Sequence, residues 1–260
     1  MKNSLLLWFQ LSLTCFCLFQ LNISAAQTKS DEIVNQWAIK PLKIDGKLDD
    51  WGDTLKNYNE DTRFSFGISN DQETLYLAIK SKDRQNLNRI LSRGITFSVN
   101  TEARKKPGAT IIFPVPNTGG QPKAMKALSK EEVKKNQQKM LSELTQINVS
   151  GFADIKDGAV SIHNNYGISA AANLDAQETL IIEIAIPFQL LNINTQSQIA
   201  CLMEINGIKQ PRSTYNPNRD TRGGMYGYPS RDYDYDRRPA VNKQNLTTGF
   251  WIKTTLAKKP

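Results

Sequence analysis

Along most of this chain apolar residues fall at every second position, the period that places them on one face of a strand. "RFSFGIS" (Arg63–Ser69) sends Phe64, Phe66 and Ile68 one way, and "TLYLAIKS" (Thr74–Ser81) does the same with Leu75, Leu77 and Ile79. "SNDQE" between them is turn chemistry, so the two predict a hairpin. Further strands are predicted in "GITFSVN" from Gly94, "ATIIFPV" from Ala109, "INVSGFADI" from Ile147 and "GAVSIHNN" from Gly158. "TLIIEIAIP" from Thr179, "IACLMEINGI" from Ile199 and "TGFWIKTTLA" (Thr248–Ala257) complete the set.

The period changes once. Ser129 followed by Glu132 is a capping box, and Val133, Met140, Leu141, Leu144 and Ile147 recur at helical spacing. Lys134, Lys135 and Lys139 mark the outer face of that helix, which is expected across a sheet edge or over the core. A shorter helix is predicted from Arg84 to Leu91. The fold class is therefore all-β, a mainly antiparallel β-sandwich with one or two short helices.

The first residues follow a different pattern. Lys2 precedes an apolar run, Leu5 to Ile23, and Ser24-Ala25-Ala26 supplies the small residues of a cleavage site. Residues 1–26 read as a signal peptide cut before Gln27, leaving 27–260 as one exported domain, periplasmic, in the outer envelope or extracellular. Thr14 before Cys15 and Phe16 before Cys17 do not make a lipoprotein box, and no membrane span remains after cleavage. Cys15 and Cys17 leave with the leader, so Cys201 stands alone and no intramolecular disulfide can form.

Charge adds a local feature. Without Lys2 the net charge is +7, and nine Lys or Arg between Arg104 and Lys139 face only Glu131 and Glu132. This concentrates the surplus in a basic helical insertion, 101–146. A patch confined to one insertion of an exported chain is not a nucleic-acid footprint, and nucleic acid is not an expected partner.

Residues 211–238 differ in kind. They hold five of the eight tyrosines, six arginines and four aspartates, with no Ile, Leu or Val. Such a segment cannot pack on its own, and it reads as part of a Tyr/Arg/Gly-rich loop, 211–247, before the last strand. Tyr215, Tyr226, Tyr228, Tyr233 and Tyr235 offer flat faces beside hydrogen-bonding arginines and aspartates, making them the candidate ligand-binding residues. The competing reading is a solvated loop.

"KIDGKLDDWGD" (Lys43–Asp53) puts four aspartates within nine positions. Asp45-Gly46 has the glycine of a calcium loop, but Lys47 and Leu48 interrupt the ligand alternation. The favoured reading is architectural: Lys43-Ile44 ends a strand, Asp45-Gly46 turns, Asp49 or Asp50 caps one helical turn, and Trp51 enters the core.

"KIDGKLDDW", "ND…TLYLAIK" (Asn70–Lys80) and "EIAIPF" (Glu183–Phe188) occur in an order that resembles the family 9 carbohydrate-binding modules and related DOMON-type β-sandwiches. The resemblance covers about Pro41 to Ile208 and the closing strand, and in overall style extends to an exported branch found in Bacteroidota. It implies a β-sandwich that presents a ligand surface and performs no chemistry. The aromatic clamp of the sugar-binding modules has no residue-by-residue match; Trp37 and Trp251 are explained as well by terminal strands packing on the core.

Haem is the second ligand class of DOMON relatives. The only histidine, His163, sits on the polar side of its strand, and Met203 shares an apolar row with Ile199, Cys201 and Ile205, so both read as ordinary residues and no cofactor is called for. For hydrolysis, the best carboxylate pair is Glu183 and Glu204, on the polar faces of consecutive strands. No nucleophilic serine motif, phosphate loop or Cys/His metal spacing is present. The expected function is non-catalytic binding of a carbohydrate or surface glycan. The alternative is an envelope domain that contacts another protein; a haem-binding protein and a glycoside hydrolase rank behind both.

Overall fold

The "RFSFGIS…TLYLAIKS" hairpin forms as its alternation requires. In the computed structural model, which describes residues 33–52, 55–115, 129–208 and 246–260, β3 (Phe64–Asn70) pairs antiparallel with β4 (Thr74–Ser81). Phe64, Phe66, Ile68, Leu75, Leu77 and Ile79 are all buried on one face. Segment 1–26 and the five candidate tyrosines lie outside the described residues.

Two six-stranded sheets build a largely antiparallel sandwich. The first contains β1 (Gln36–Trp37), β2 (Asn57–Asn59), β3, β4, β9 (Ser169–Leu174) and β10 (Leu180–Pro187). Its order is β1-β3-β4-β10-β9, with β2 also paired to β3; β1 runs parallel to β3. The second sheet runs β12 (Thr248–Thr255), β11 (Gln198–Ile205), β5 (Ile95–Asn100), β6 (Ala109–Phe113), β7 (Gln146–Ser150) and β8 (Gly158–Ser161). The interior is one apolar cluster drawn from both inner faces. Ile199, Cys201, Met203 and Ile205 are each 0% exposed within it, and burial pushes the Cys201 thiol far up from its ordinary pKa.

Helix α1 (Arg84–Arg93) joins the two sheets. Asp83 caps it by accepting the Asn86 N–H, and Gly94 ends it at φ 73°, its N–H reaching the Ile90 carbonyl at 2.7 Å. Helix α2 (Lys130–Ser142) has the expected capping box, with the Glu132 carboxylate accepting the Ser129 N–H at 2.8 Å. It lies along the β9 edge, where Gln138 donates to the Leu174 carbonyl and Lys134 to that of Ala176.

Two expectations need correcting here. Ile147 belongs to the strand predicted from it and not to the helix whose spacing it also fitted. It lies on β7 opposite Val160, because Ile147 and Val149 also satisfy the period of two that the sheet selects. The stretch 101–146 is not wholly an addition to the sandwich either, since β6 sits inside it as an interior strand of the second sheet. Among the described residues, no helix is long and apolar enough to cross a membrane.

Candidate functional site

The aspartate-rich stretch folds over the outer face of the first sheet and closes on one carboxylate. Glu183, on the outward side of β10, is 0% exposed. Its Oε1 accepts the Trp51 Nε1–H at 2.6 Å, while Oε2 accepts the N–H of Gly46 at 2.6 Å and of Asp45 at 3.0 Å. Burial is the main influence on this carboxyl and pushes its pKa up; the three donors pull the other way.

The sheet makes room for this arrangement with small residues. Gly67, Ala78, Glu183 and Ala171 form one cross-strand row, with Ala185 next to it on β10. Trp51, 2% exposed, packs with Ala38, Tyr76, Ala78 and Ala185, fringed by Leu42, Ile44, Leu48 and Leu55. An indole of roughly 200 Å² at about 25 cal/mol/Å² is worth about 5 kcal/mol of burial before entropy is counted. Gly46 adopts φ 78°, and a Cβ there would meet Asn173 Cβ at 2.7 Å. Only glycine fits that turn.

The structural role expected of this stretch is present, with different details. Trp51 enters a second apolar cluster outside the sandwich, not the main core. Lys43-Ile44 lies outside any strand. Asp50 caps no helix: it accepts Lys43 N–H at 3.3 Å and Lys40 Nζ–H at 3.1 Å, folding the segment back on itself. Asp45 accepts the Lys47 N–H and pairs with Lys43, which holds its carboxyl below the usual range. Among the described residues, no group of three or more His, Cys, Asp or Glu converges as a metal site.

The remaining candidate residues are dispersed. Glu183 and Glu204 do not meet: consecutive strands β10 and β11 belong to different sheets, and each carboxylate faces outward, so the sandwich separates them. Sequence adjacency suggested a neighbouring pair that the crossover between sheets prevents. His163 is exposed just beyond β8, and Met203 is sealed in the core. Trp37 and Trp251 are half-buried on β1 and β12.

A cleft of about 580 Å³ opens instead at the end of the sandwich where β3 turns into β4. Three segments frame it: the 71–74 turn, the 164–167 loop, and the stretch from Pro187 to Asn194. Each is fixed from within. Asp71 accepts the N–H groups of Glu73 and Thr74 at 2.8 Å and the Tyr76 hydroxyl at 2.6 Å; burial, then this carboxylate, push the Tyr76 pKa to about 12. Asn164 donates to the carbonyls of Ser161 and Ile168 and accepts the Tyr166 N–H. Phe188 N–H donates to the Glu73 carbonyl at 2.7 Å, joining the first and third segments.

The side chains these segments present are uncommitted. Gln72, Glu73, Asn165 and Gln189 are exposed, and neither their side chains nor the Tyr166 hydroxyl has a hydrogen-bond partner among the described residues. Tyr166 is 39% exposed beside the buried Phe188. The cleft thus offers an aromatic side chain, three amides and one carboxylate on a braced frame. The sequence marked "SNDQE" only as a turn and put His163 to Asn165 in the strand predicted from Gly158, which ends at Ser161; the excess of amides in both stretches was the available signal.

No protein-family model matches this chain, and no curated protein matches it.

Proposed function

We propose that the protein is an exported, non-catalytic binding domain that holds a carbohydrate in the end cleft formed by Gln72, Glu73, Asn165, Tyr166 and Gln189. The observation that carries this reading is the uncommitted polar set around an accessible tyrosine. Sugar recognition needs an apolar ring face to lie on and fixed donors and acceptors for the hydroxyls. Amides supply both kinds of group from one side chain. A volume near 580 Å³ falls in the range of small-ligand sites.

Binding without turnover fits the charge inventory. Hydrolysis of a glycosidic bond generally uses two carboxyl groups about 5–9.5 Å apart, and among the described residues Glu73 is the one carboxylate lining this cleft. The resemblance of the motif order to that of family 9 carbohydrate-binding modules supports the same reading, and the signal-like pattern of residues 1–26 supports export.

A glycan array probed with the mature chain, Gln27 to Pro260, is the test. Capture of a neutral plant, algal or bacterial glycan is expected, with Tyr166→Ala and Gln189→Ala each weakening it at least about tenfold. An array without a hit, or capture indifferent to both substitutions, overturns the proposal.

A further inference from the structure

At the opposite end of the β3–β4 hairpin, the outer face of the first sheet emerges from beneath the Trp51 cover. The register there sets Tyr58 of β2 against Ser65 of β3, and Ser65 against Lys80 of β4. The three side chains form one row on one face. Lys82, Arg63 and Asp83 close the surroundings into a cleft of about 350 Å³.

The charges in this cleft are unequally committed. Asp83 is already engaged on both oxygens: Oδ1 accepts the Asn86 N–H at 2.8 Å and Oδ2 pairs with Arg63. Lys80 and Lys82 have no hydrogen-bond or ion-pair partner among the described residues, and neither do the hydroxyls of Tyr58 and Ser65. Tyr58 is 53% exposed. Apart from Asp83, the nearest acidic groups along the chain are Glu60 and Asp61, in the turn beyond the row.

We infer that this cleft is a second binding site, for a sugar ring bearing a carboxylate or sulfate. Two strand spacings, roughly 9.5 Å, separate the tyrosine from the lysine of the row. A pyranose fits over Ser65 in that span, with its apolar face against Tyr58 and its anionic substituent between Lys80 and Lys82. Uncommitted ammonium groups beside an aromatic ring select an anion carried on a ring over either feature alone. The site shares no residue with the end cleft and stands whether or not a neutral sugar binds there.

Calorimetric titration with oligogalacturonate, dextran sulfate, neutral maltotetraose and phosphatidylglycerol vesicles tests the assignment. Binding of one or both anionic saccharides is expected, weakening as salt is raised, with at least about tenfold preference over maltotetraose. Lys80→Gln, Lys82→Gln and Tyr58→Ala should each weaken it about fivefold or more, with an unchanged thermal midpoint, and Tyr166→Ala should leave it intact. Loss on the lysine changes with none on Tyr58→Ala means diffuse charge attraction and overturns the site. So does binding to vesicles alone, equal binding of maltotetraose, or no binding to either anionic saccharide.

Discussion

Trp51 donates its indole N–H to Glu183 across 132 residues of sequence, at 2.6 Å, in a place where neither side chain meets solvent. The same carboxylate holds the two backbone N–H groups of the Asp45-Gly46 turn. One side chain on an interior strand of the sheet therefore fixes the whole covering segment from the outside.

Removing that acceptor is expected to be costly. Glu183→Ala leaves three donors without a partner, each worth about 1–3 kcal/mol when buried, so a loss of about 3–5 kcal/mol is expected after local relaxation. Glu183→Gln keeps one acceptor oxygen and should cost about 1–3 kcal/mol. Trp51→Phe keeps most of the apolar area and removes one donor. Urea unfolding of both singles and the double variant should give a coupling of at least about 0.5 kcal/mol; strict additivity would deny the link.

Much of this was legible in the sequence, but not the meeting of its parts. Period-two runs marked the strands because one face of each meets the core, and the Ser129/Glu132 box marked α2 because capping is local. The strand β9, "SAAANL", carried no alternation to find: alanine fits either face. β1 and β2, at two and three residues, are too short to show a period. "KIDGKLDDW" and "EIAIPF" were visible as two motifs, and only the topology shows that they are the two halves of one contact. The end cleft was illegible for a similar reason, since its amides come from three segments distant in sequence.

The pH dependence of that contact has a definite sign. Burial raises the Glu183 pKa above its unfolded value of about 4.3, against the pull of the donors. A raised carboxyl contributes stability that is fully present below the unfolded pKa and is lost as pH rises through the folded one. The advantage of the native chain over Glu183→Gln should therefore be greatest near pH 4 and shrink toward pH 7. Urea midpoints of the two chains across that window measure it directly. An advantage that grows with pH would mean that the three donors outweigh burial.

The last expectation concerns the tyrosine-rich segment, whose flanking residues up to 208 and from 246 are described although Tyr215, Tyr226, Tyr228, Tyr233 and Tyr235 are not. β11 and β12 pair in full register up to Ile205 and Thr248, and just beyond them the Gly207 N–H donates to the Thr247 hydroxyl at 3.2 Å. Arg89 adds a bond from α1 to the Leu246 carbonyl. Because the flanking strands already meet at Gly207 and Thr247, replacing 211–238 by a short Gly/Ser turn should preserve the pairing. Halving a loop changes closure entropy by only about 0.6 kcal/mol, so the thermal midpoint should move by no more than about 4–5 °C. The glycan array then separates two locations for the site. Capture that survives the deletion but falls with Tyr166→Ala belongs to the end cleft. Capture lost on deletion, and lost again when Tyr226, Tyr228, Tyr233 and Tyr235 are changed to Ser, belongs to the tyrosines. That second result would move the site away from the end cleft while leaving the sandwich and its Trp51–Glu183 contact untouched.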